Sequence, residues 1–418
     1  MKLSNLVLAA VLPAVSGAAH AASVVEMYGT VMPVLDSAET TGATPTAPPA
    51  ASRPSQLSAA QYTGLNDVRR TRMTVGTTHL GFRGYEDLVP GLKAVWQLES
   101  GFQIDQNVGP GLGARDSKVG LQCSWGEVFM GQWDTPYKYV SLPVNPLRAG
   151  YVFDRTAITG NPGMGVPNTT TQFTRIGAKP DASFDRRQGN SVQYWSPIMA
   201  GFSFRVGHSV NENKGTVVAG GPIVSPTVTA ASAQFELGTL SLRYAYEQHE
   251  DYFGMAQLGG SAGATATNPA SKDKGHKFVV LYRIGNTRLT GLVERLEYRS
   301  DDVLAGAVNT YKRTAYYGVF EQRFGAGGSN SVWISYGRAA DGSCSRVGGA
   351  ACLTQALGAD YMTLGYIYRF SKRTEVFAAY YRMKNKANGT YSPGPFVAAA
   401  PAPGADTNAA GLGMIHFF

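Results

Sequence analysis

Along most of this chain apolar and polar residues alternate with a period of two. A strand with one face in an apolar medium and the other in a polar one has this pattern. Over residues 239–249, Leu240, Leu242, Tyr244 and Tyr246 share one face, while Ser241, Arg243, Ala245 and Glu247 share the other. After Gly201, Phe202, Phe204 and Val206 alternate with Ser203 and Arg205. Over 360–370, Met362, Leu364, Tyr366, Tyr368 and Phe370 oppose Thr363, Gly365 and Arg369. From Lys277 onward, Phe278, Val280, Tyr282 and Ile284 alternate with Val279, Leu281 and Arg283. Read throughout, the pattern predicts sixteen strands, roughly 23–35, 72–87, 91–103, 114–124, 126–135, 189–197, 200–210, 228–237, 239–248, 274–285, 286–298, 311–324, 329–340, 358–371, 372–384 and 407–418.

Soluble sandwiches alternate too, and the connections separate the two cases. Tight links follow the even strands, among them Leu88-Val89-Pro90, Trp125, Ile198-Met199, Gly238 and the Ser371/Lys372 junction. Long links follow the odd strands, at 36–71, 104–113, 136–188, 211–227, 249–273, 299–310, 341–357 and 385–406. Strict short–long alternation puts turns at one end of a barrel and loops at the other. An even number of strands also closes the sheet, so that no unpaired edge meets lipid. The expected fold is all-β: a closed antiparallel 16-stranded transmembrane β-barrel with short periplasmic turns and long external loops. The first loop, 36–71, carries Pro45, Pro48, Pro49 and Pro54 among small residues, a composition too poor in apolar surface to order well.

Composition agrees with this reading. Charged residues make up 16% of the chain, against about 25% in ordinary soluble domains. At the start, Lys2, the apolar stretch 6–15 and Ala19-His20-Ala21 have the make-up of an export signal, with cleavage after Ala21. That leaves 22–418 as a single barrel domain. The apolar stretch is shorter than the roughly 20 residues a transmembrane helix needs. Net charge is +8, of which Lys2 contributes one, leaving +7 on the remainder. The positive charges recur singly rather than in runs, which argues against a nucleic-acid partner.

The three cysteines exclude a metal site of the paired CxxC kind. Cys344 and Cys352 lie eight positions apart in a Gly/Ala/Ser-rich stretch and are expected to form a loop disulfide in an oxidising envelope. Cys123 is expected to be a small packing residue. No His-Glu-x-x-His helix occurs. His79, His276 and His416 read as wall or rim residues rather than catalytic ones. No cofactor or metal is expected.

Three segments carry a family resemblance. The first is Thr78-His79-Leu80-Gly81-Phe82-Arg83-Gly84, followed by Glu86-Asp87, Gly91-Leu92-Lys93-Ala94, Gln97-Leu98-Glu99 and Gly101-Phe102. The second is Asn190-Ser191-Val192-Gln193-Tyr194, then Ser196-Pro197 and Gly201-Phe202. The third is Asp360-Tyr361, Leu364-Gly365, Tyr368 and Ser371-Lys372-Arg373-Thr374, and the chain closes on Phe418. With these motifs the chain resembles general porins of the Neisseria/Bordetella/Burkholderia type. The resemblance implies a homotrimer in the outer membrane of a Gram-negative bacterium, in contact with its lipid and lipopolysaccharide. It also implies a third loop folded inward and passive diffusion of ions and small hydrophilic solutes. Where the family commonly carries arginine this chain has His79, Gln132 (in Gly131-Gln132-Trp133) and Ile415. Each removes a positive charge, so only a weak anion preference is expected.

Phase suggests the lining. With Leu80, Phe82, Ala94, Trp96, Leu98, Val119 and Leu121 toward lipid, the residues His79, Arg83, Tyr85, Lys93, Gln97, Glu99, Lys118 and Gln122 face the lumen. The positive members avoid a cost of about 2–4 kcal/mol for Lys or Arg at the hydrocarbon midplane. Arg83, Lys93 and Lys118 are expected to form a positive strip lining the pore with His79 and Gln132. Asp154, Asp181 and Asp185 of loop 136–188 would form an acidic edge opposite. Arg115 has outward parity. The rival readings are a barrel hydrolase, which needs a base and a nucleophile on neighbouring strands, and a structural or adhesin barrel.

Overall fold

The computed structural model describes residues 23–105, 113–147, 153, 155–161, 163, 183–210, 225–252, 270–301, 305–393 and 401–418. The expected export signal, 1–21, lies outside them. The strands are β1 (Ser23–Val31), β2 (Pro33–Thr41), β3 (Arg70–Val75), β4 (His79–Val89), β5 (Leu92–Gly101), β6 (Ser117–Cys123), β7 (Gly126–Asp134), β8 (Arg187–Trp195), β9 (Phe202–Ser209), β10 (Thr227–Leu237), β11 (Leu240–Glu250), β12 (Lys272–Ile284), β13 (Thr287–Arg299), β14 (Val308–Phe324), β15 (Asn330–Ala339), β16 (Ser343–Arg346), β17 (Ala359–Arg369), β18 (Thr374–Asn385) and β19 (Asp406–Phe417). All belong to one sheet.

Nineteen segments make sixteen barrel strands. β1 and β2 are one strand interrupted at Met32, β3 and β4 one strand interrupted at 76–78, and β16 belongs to an external loop. The two interruptions face each other. The Met32 amide donates to Thr78 Oγ1 at 2.9 Å, and the Gly76 amide donates to the Met32 carbonyl at 2.9 Å. The buried Met32 side chain fills the space above Gly76 where a Cβ would stand. The last strand closes the barrel on the first: Val31 stands opposite His416, and Val34 opposite Gly413 through to Thr41 opposite Asp406.

Alternation decides the faces. Val25, Phe82, Leu98, Met130, Phe278 and Leu364 are exposed on the outside, as a lipid-facing belt requires. At the turn end, Leu237 pairs with Leu240 and Ile284 with Thr287 across two-residue links. Gly238 and Gly285 take φ +58° and +55° there, the left-handed conformation of such hairpins, which glycine adopts without a Cβ clash.

The external end departs from the sequence reading in two places. The first loop starts after Thr41 rather than at 36, because polar residues of β2 and β3 continue the ladder and pair Asp36 with Arg72 at 3.0 Å. The loop is also well packed. Leu57 and Tyr62 are buried, the Tyr62 hydroxyl donates to Asn388 Oδ1 at 2.7 Å, and the Ser55 amide donates to the Leu353 carbonyl at 2.9 Å. The apolar surface that orders it lies on other loops, which its own composition does not reveal. In the other departure, β14 runs 17 residues, longer than the roughly 9–11 a tilted strand needs to cross. Its outer end pairs with β16.

Cys344 and Cys352 are joined, with Cα atoms 5.6 Å apart. Closing this short loop should contribute about 2–3 kcal/mol to local stability in the chain-entropy view. In the folded protein, mass labelling with a thiol reagent should therefore modify both cysteines only after reduction. Labelling of the pair without reductant would refute the bridge.

The third loop folds into the barrel. Thr135 caps a turn of helix, α1 (Pro136–Tyr139), its side chain accepting from the Lys138 amide at 3.3 Å. From there the described parts of the loop lie against β12 to β18. Phe184 packs on Tyr298 with ring centroids 5.8 Å apart, Phe153 packs on Tyr381 at 5.7 Å, and Ile158 lies against Gly337. The inward faces of these strands carry Val279, Leu292, Leu296, Val319 and Phe377, which bury with the loop in one apolar cluster.

Candidate functional site

The wall opposite the docked loop is built from β1 and β4 to β7. Arg83 stands across from Glu26 and donates from Nε to its Oε2 at 2.9 Å, with its guanidinium 4.8 Å from the Tyr28 ring. Lys93 Nζ lies 3.6 Å from Asp87 Oδ1 and 3.9 Å from the Tyr85 ring. Lys118 Nζ bonds Glu127 and sits 4.5 Å from the rings of Phe129 and Trp133 and 5.0 Å from Trp195. The three cations thus occupy neighbouring strands of one wall, each with a carboxylate partner. A bare positive strip would leave partly desolvated charges uncompensated, which is costly. The strip is instead a row of ion pairs.

Above it lies a hub on Glu99. The Arg115 side chain donates from Nε to Glu99 Oε1, the Tyr28 hydroxyl donates to Oε2 at 3.0 Å, and His79 Nε2 is 3.7 Å from Oε2. His79 Nδ1 is 2.6 Å from the Thr77 carbonyl. Strand parity fails for Arg115 because it lies ahead of β6, where its side chain is free to turn inward.

Gln132 is a correction. The inward residues of β7 are Glu127, Phe129 and Trp133, as their contacts with Lys118 show. Gln132 shares its face with Val128 and Met130, and its Nε2 donates to the Ala114 and Arg115 carbonyls at 2.7 and 3.2 Å. Strand phase, set by the inward Phe129 and Trp133, turns Gln132 away from Lys118.

Of the three acidic residues, Asp154 and Asp181 lie outside the described residues. Asp185 is fully buried rather than on an open edge. Its Oδ1 accepts from Lys277 Nζ at 2.7 Å and from Arg155 Nη2 at 3.2 Å. The same network reaches Glu294, which accepts from the Gly160 amide at 2.8 Å and the Tyr137 hydroxyl at 3.0 Å and faces Arg313 Nη2 at 3.3 Å. This latch was not foreseen. Its signal was a carboxylate on the inward face of β13, set between Leu292 and Leu296.

A second unforeseen cluster ties the loop's two ends. Arg187 bonds Asp116 and lies 3.4 Å from Asp134, which pairs with Lys138 at 2.9 Å. Asp134 and Arg187 are opposite in register yet separated in sequence by the whole third loop. Among the described residues no group of His, Cys, Asp or Glu could hold a metal ion.

A model of the Gram-negative porin family matches residues 8–388. An outer membrane porin protein of Bordetella pertussis is 28% identical over 328 residues, 71% of this chain and 74% of that protein. Outer membrane porin protein 32 of Delftia acidovorans is 26% identical over 324 residues, 75% and 76% of the two chains. The match to the major outer membrane protein P.IB of Neisseria gonorrhoeae, 32% over 137 residues, spans 33% of that relative's length. Among solved structures, an anion-selective porin from Comamonas acidovorans superposes with a TM-score of 0.68 at 20% identity, over 95% of this chain and 100% of that one. The trimer form of OmpT from Vibrio cholerae superposes with a TM-score of 0.59 at 12% identity, over 95% and 100%.

Proposed function

The chain belongs to the Gram-negative porin family, and from that membership we propose that it forms a water-filled channel for passive diffusion of ions and small hydrophilic solutes, weakly preferring anions. Its place is the outer membrane, and members of this family are channels rather than enzymes. One observation carries the reading. The third loop lies against one wall while the charges of the other, Glu26, Arg83, Asp87 and Lys93, stay 40 to 54% exposed inside a closed barrel. The ion-paired row supports a weak preference, since each cation's field is largely offset by its partner. The trimer form of a structural neighbour supports a homotrimer, its apolar belt in contact with outer-membrane lipid and lipopolysaccharide.

Reconstitution in planar bilayers tests this directly. Current steps should come in groups of three, and reversal potentials under a KCl gradient should show a small anion preference. Fixed charges act over a Debye length of about 8 Å at physiological salt and about 3 Å at 1 M, so the preference should fade as salt rises. No ion current, or a cation preference at low salt, would refute the proposal.

A further inference from the structure

Arg205 lies on the inward face of β9, opposite Trp195 of β8 and Ser232 of β10. The carbon of its guanidinium is 3.1 Å from the centre of the Tyr139 ring and 4.1 Å from that of Trp195. Aromatic faces from the third loop and the wall thus hold it. Arg83, Lys93 and Lys118 each have a carboxylate partner. Among the described residues Arg205 has none within ion-pair distance, and its Nη1 is buried without a hydrogen-bond partner. Glu127, which lines the same cavity as Arg205, is engaged by Lys118. A guanidinium gripped by its faces presents its in-plane N–H fork, the edge that takes a carboxylate in two-point contact.

Arg205 also lines a cavity of about 440 Å³, together with Lys93, Gln122, Glu127, Trp195 and Pro197. The volume is in the range of small-molecule sites, and the cavity lies at the turn end of the barrel, beside Gly91 and Gly126. It joins one unpaired cation, a second cation in Lys93 and an apolar wall. We propose that this cavity binds a small organic carboxylate in transit. Arg205 grips the carboxylate, Lys93 adds attraction, and the hydrocarbon part lies against Trp195 and Pro197. The transit role rests on the channel reading above; the binding does not.

Benzoate is the probe. In detergent, benzoate should shift the intrinsic tryptophan fluorescence of the full-length protein saturably, and in planar bilayers it should reduce the KCl current over the same concentrations. In R205Q the half-saturating concentration should rise about tenfold or more, the scale of one charge-assisted hydrogen-bond pair. R205K keeps the charge but not the fork and should fall between. R243Q removes an arginine already paired with Glu236 at 2.9 Å and should leave the titration unchanged. R205Q titrating like the unaltered protein, or R205Q and R243Q weakened equally, overturns the proposal. Saturable fluorescence without any current would refute the channel reading alone.

Discussion

Glu294→Ala should turn a steady channel into a noisier and more conductive one. Glu294 is where the third loop is latched to the wall, taking hydrogen bonds from the Gly160 amide and the Tyr137 hydroxyl and facing Arg313 at 3.3 Å and Lys277 at 3.6 Å. Arg313, Lys277 and Glu294 are fully buried. Breaking such a buried arrangement by removing one partner costs about 3–5 kcal/mol, because the remaining charges are left uncompensated. The unsatisfied Gly160 amide adds about 1–3 kcal/mol. Against this, Phe153, Ile158 and Phe184 keep their apolar burial, worth about 1.5–3 kcal/mol for each large side chain, and Lys277 keeps Asp185. The apolar contacts are enough to hold the loop inside the barrel, so the loss falls on the segment 155–161 around Gly160. Single-channel recording should show a larger mean conductance and more open-channel noise. Glu294→Gln keeps an acceptor for Gly160 and should show a smaller change. Conductance and noise identical to the unaltered protein in Glu294→Ala would mean that the latch does not position the loop.

Glu99→Gln should produce the largest change in selectivity, toward anions. Glu99 is the carboxylate to which Arg115, Tyr28 and His79 all turn, so removing its charge exposes Arg115 to the pore without replacing its partner. A unit charge about 4 Å away is worth about 1 kcal/mol even in bulk water and more near a protein wall. That corresponds to a several-fold rise in the chloride-to-potassium permeability ratio at low salt, shrinking at 1 M as screening shortens. An unchanged reversal potential at low salt would place the controlling charges elsewhere on the wall.

The period-two pattern was enough to determine the barrel. Strand number, the alternation of turns and loops, and the faces of His79, Arg83, Lys93 and Lys118 all follow from side chains that point alternately to two media. The cysteine pair was legible for a similar local reason, since eight positions within one loop can bring two thiols together. Phase says which face a residue takes but not what stands opposite. Glu26 meets Arg83, and Asp134 meets Arg187, because strands distant in sequence are neighbours in the sheet. Phase is also undefined off the strands. Arg115 turned inward from a link, and Asp185, on a loop with no period at all, went to a buried ion network. Gln132 is the opposite case: its phase, opposite to that of Phe129 and Trp133, was legible and contradicts the pore-lining role that the resemblance implies. The selectivity of the wall therefore belongs to the tertiary structure. Whether a lysine or arginine is a free charge or half of an ion pair depends on a partner within about 4 Å, and only closing the barrel and docking the third loop bring that partner there.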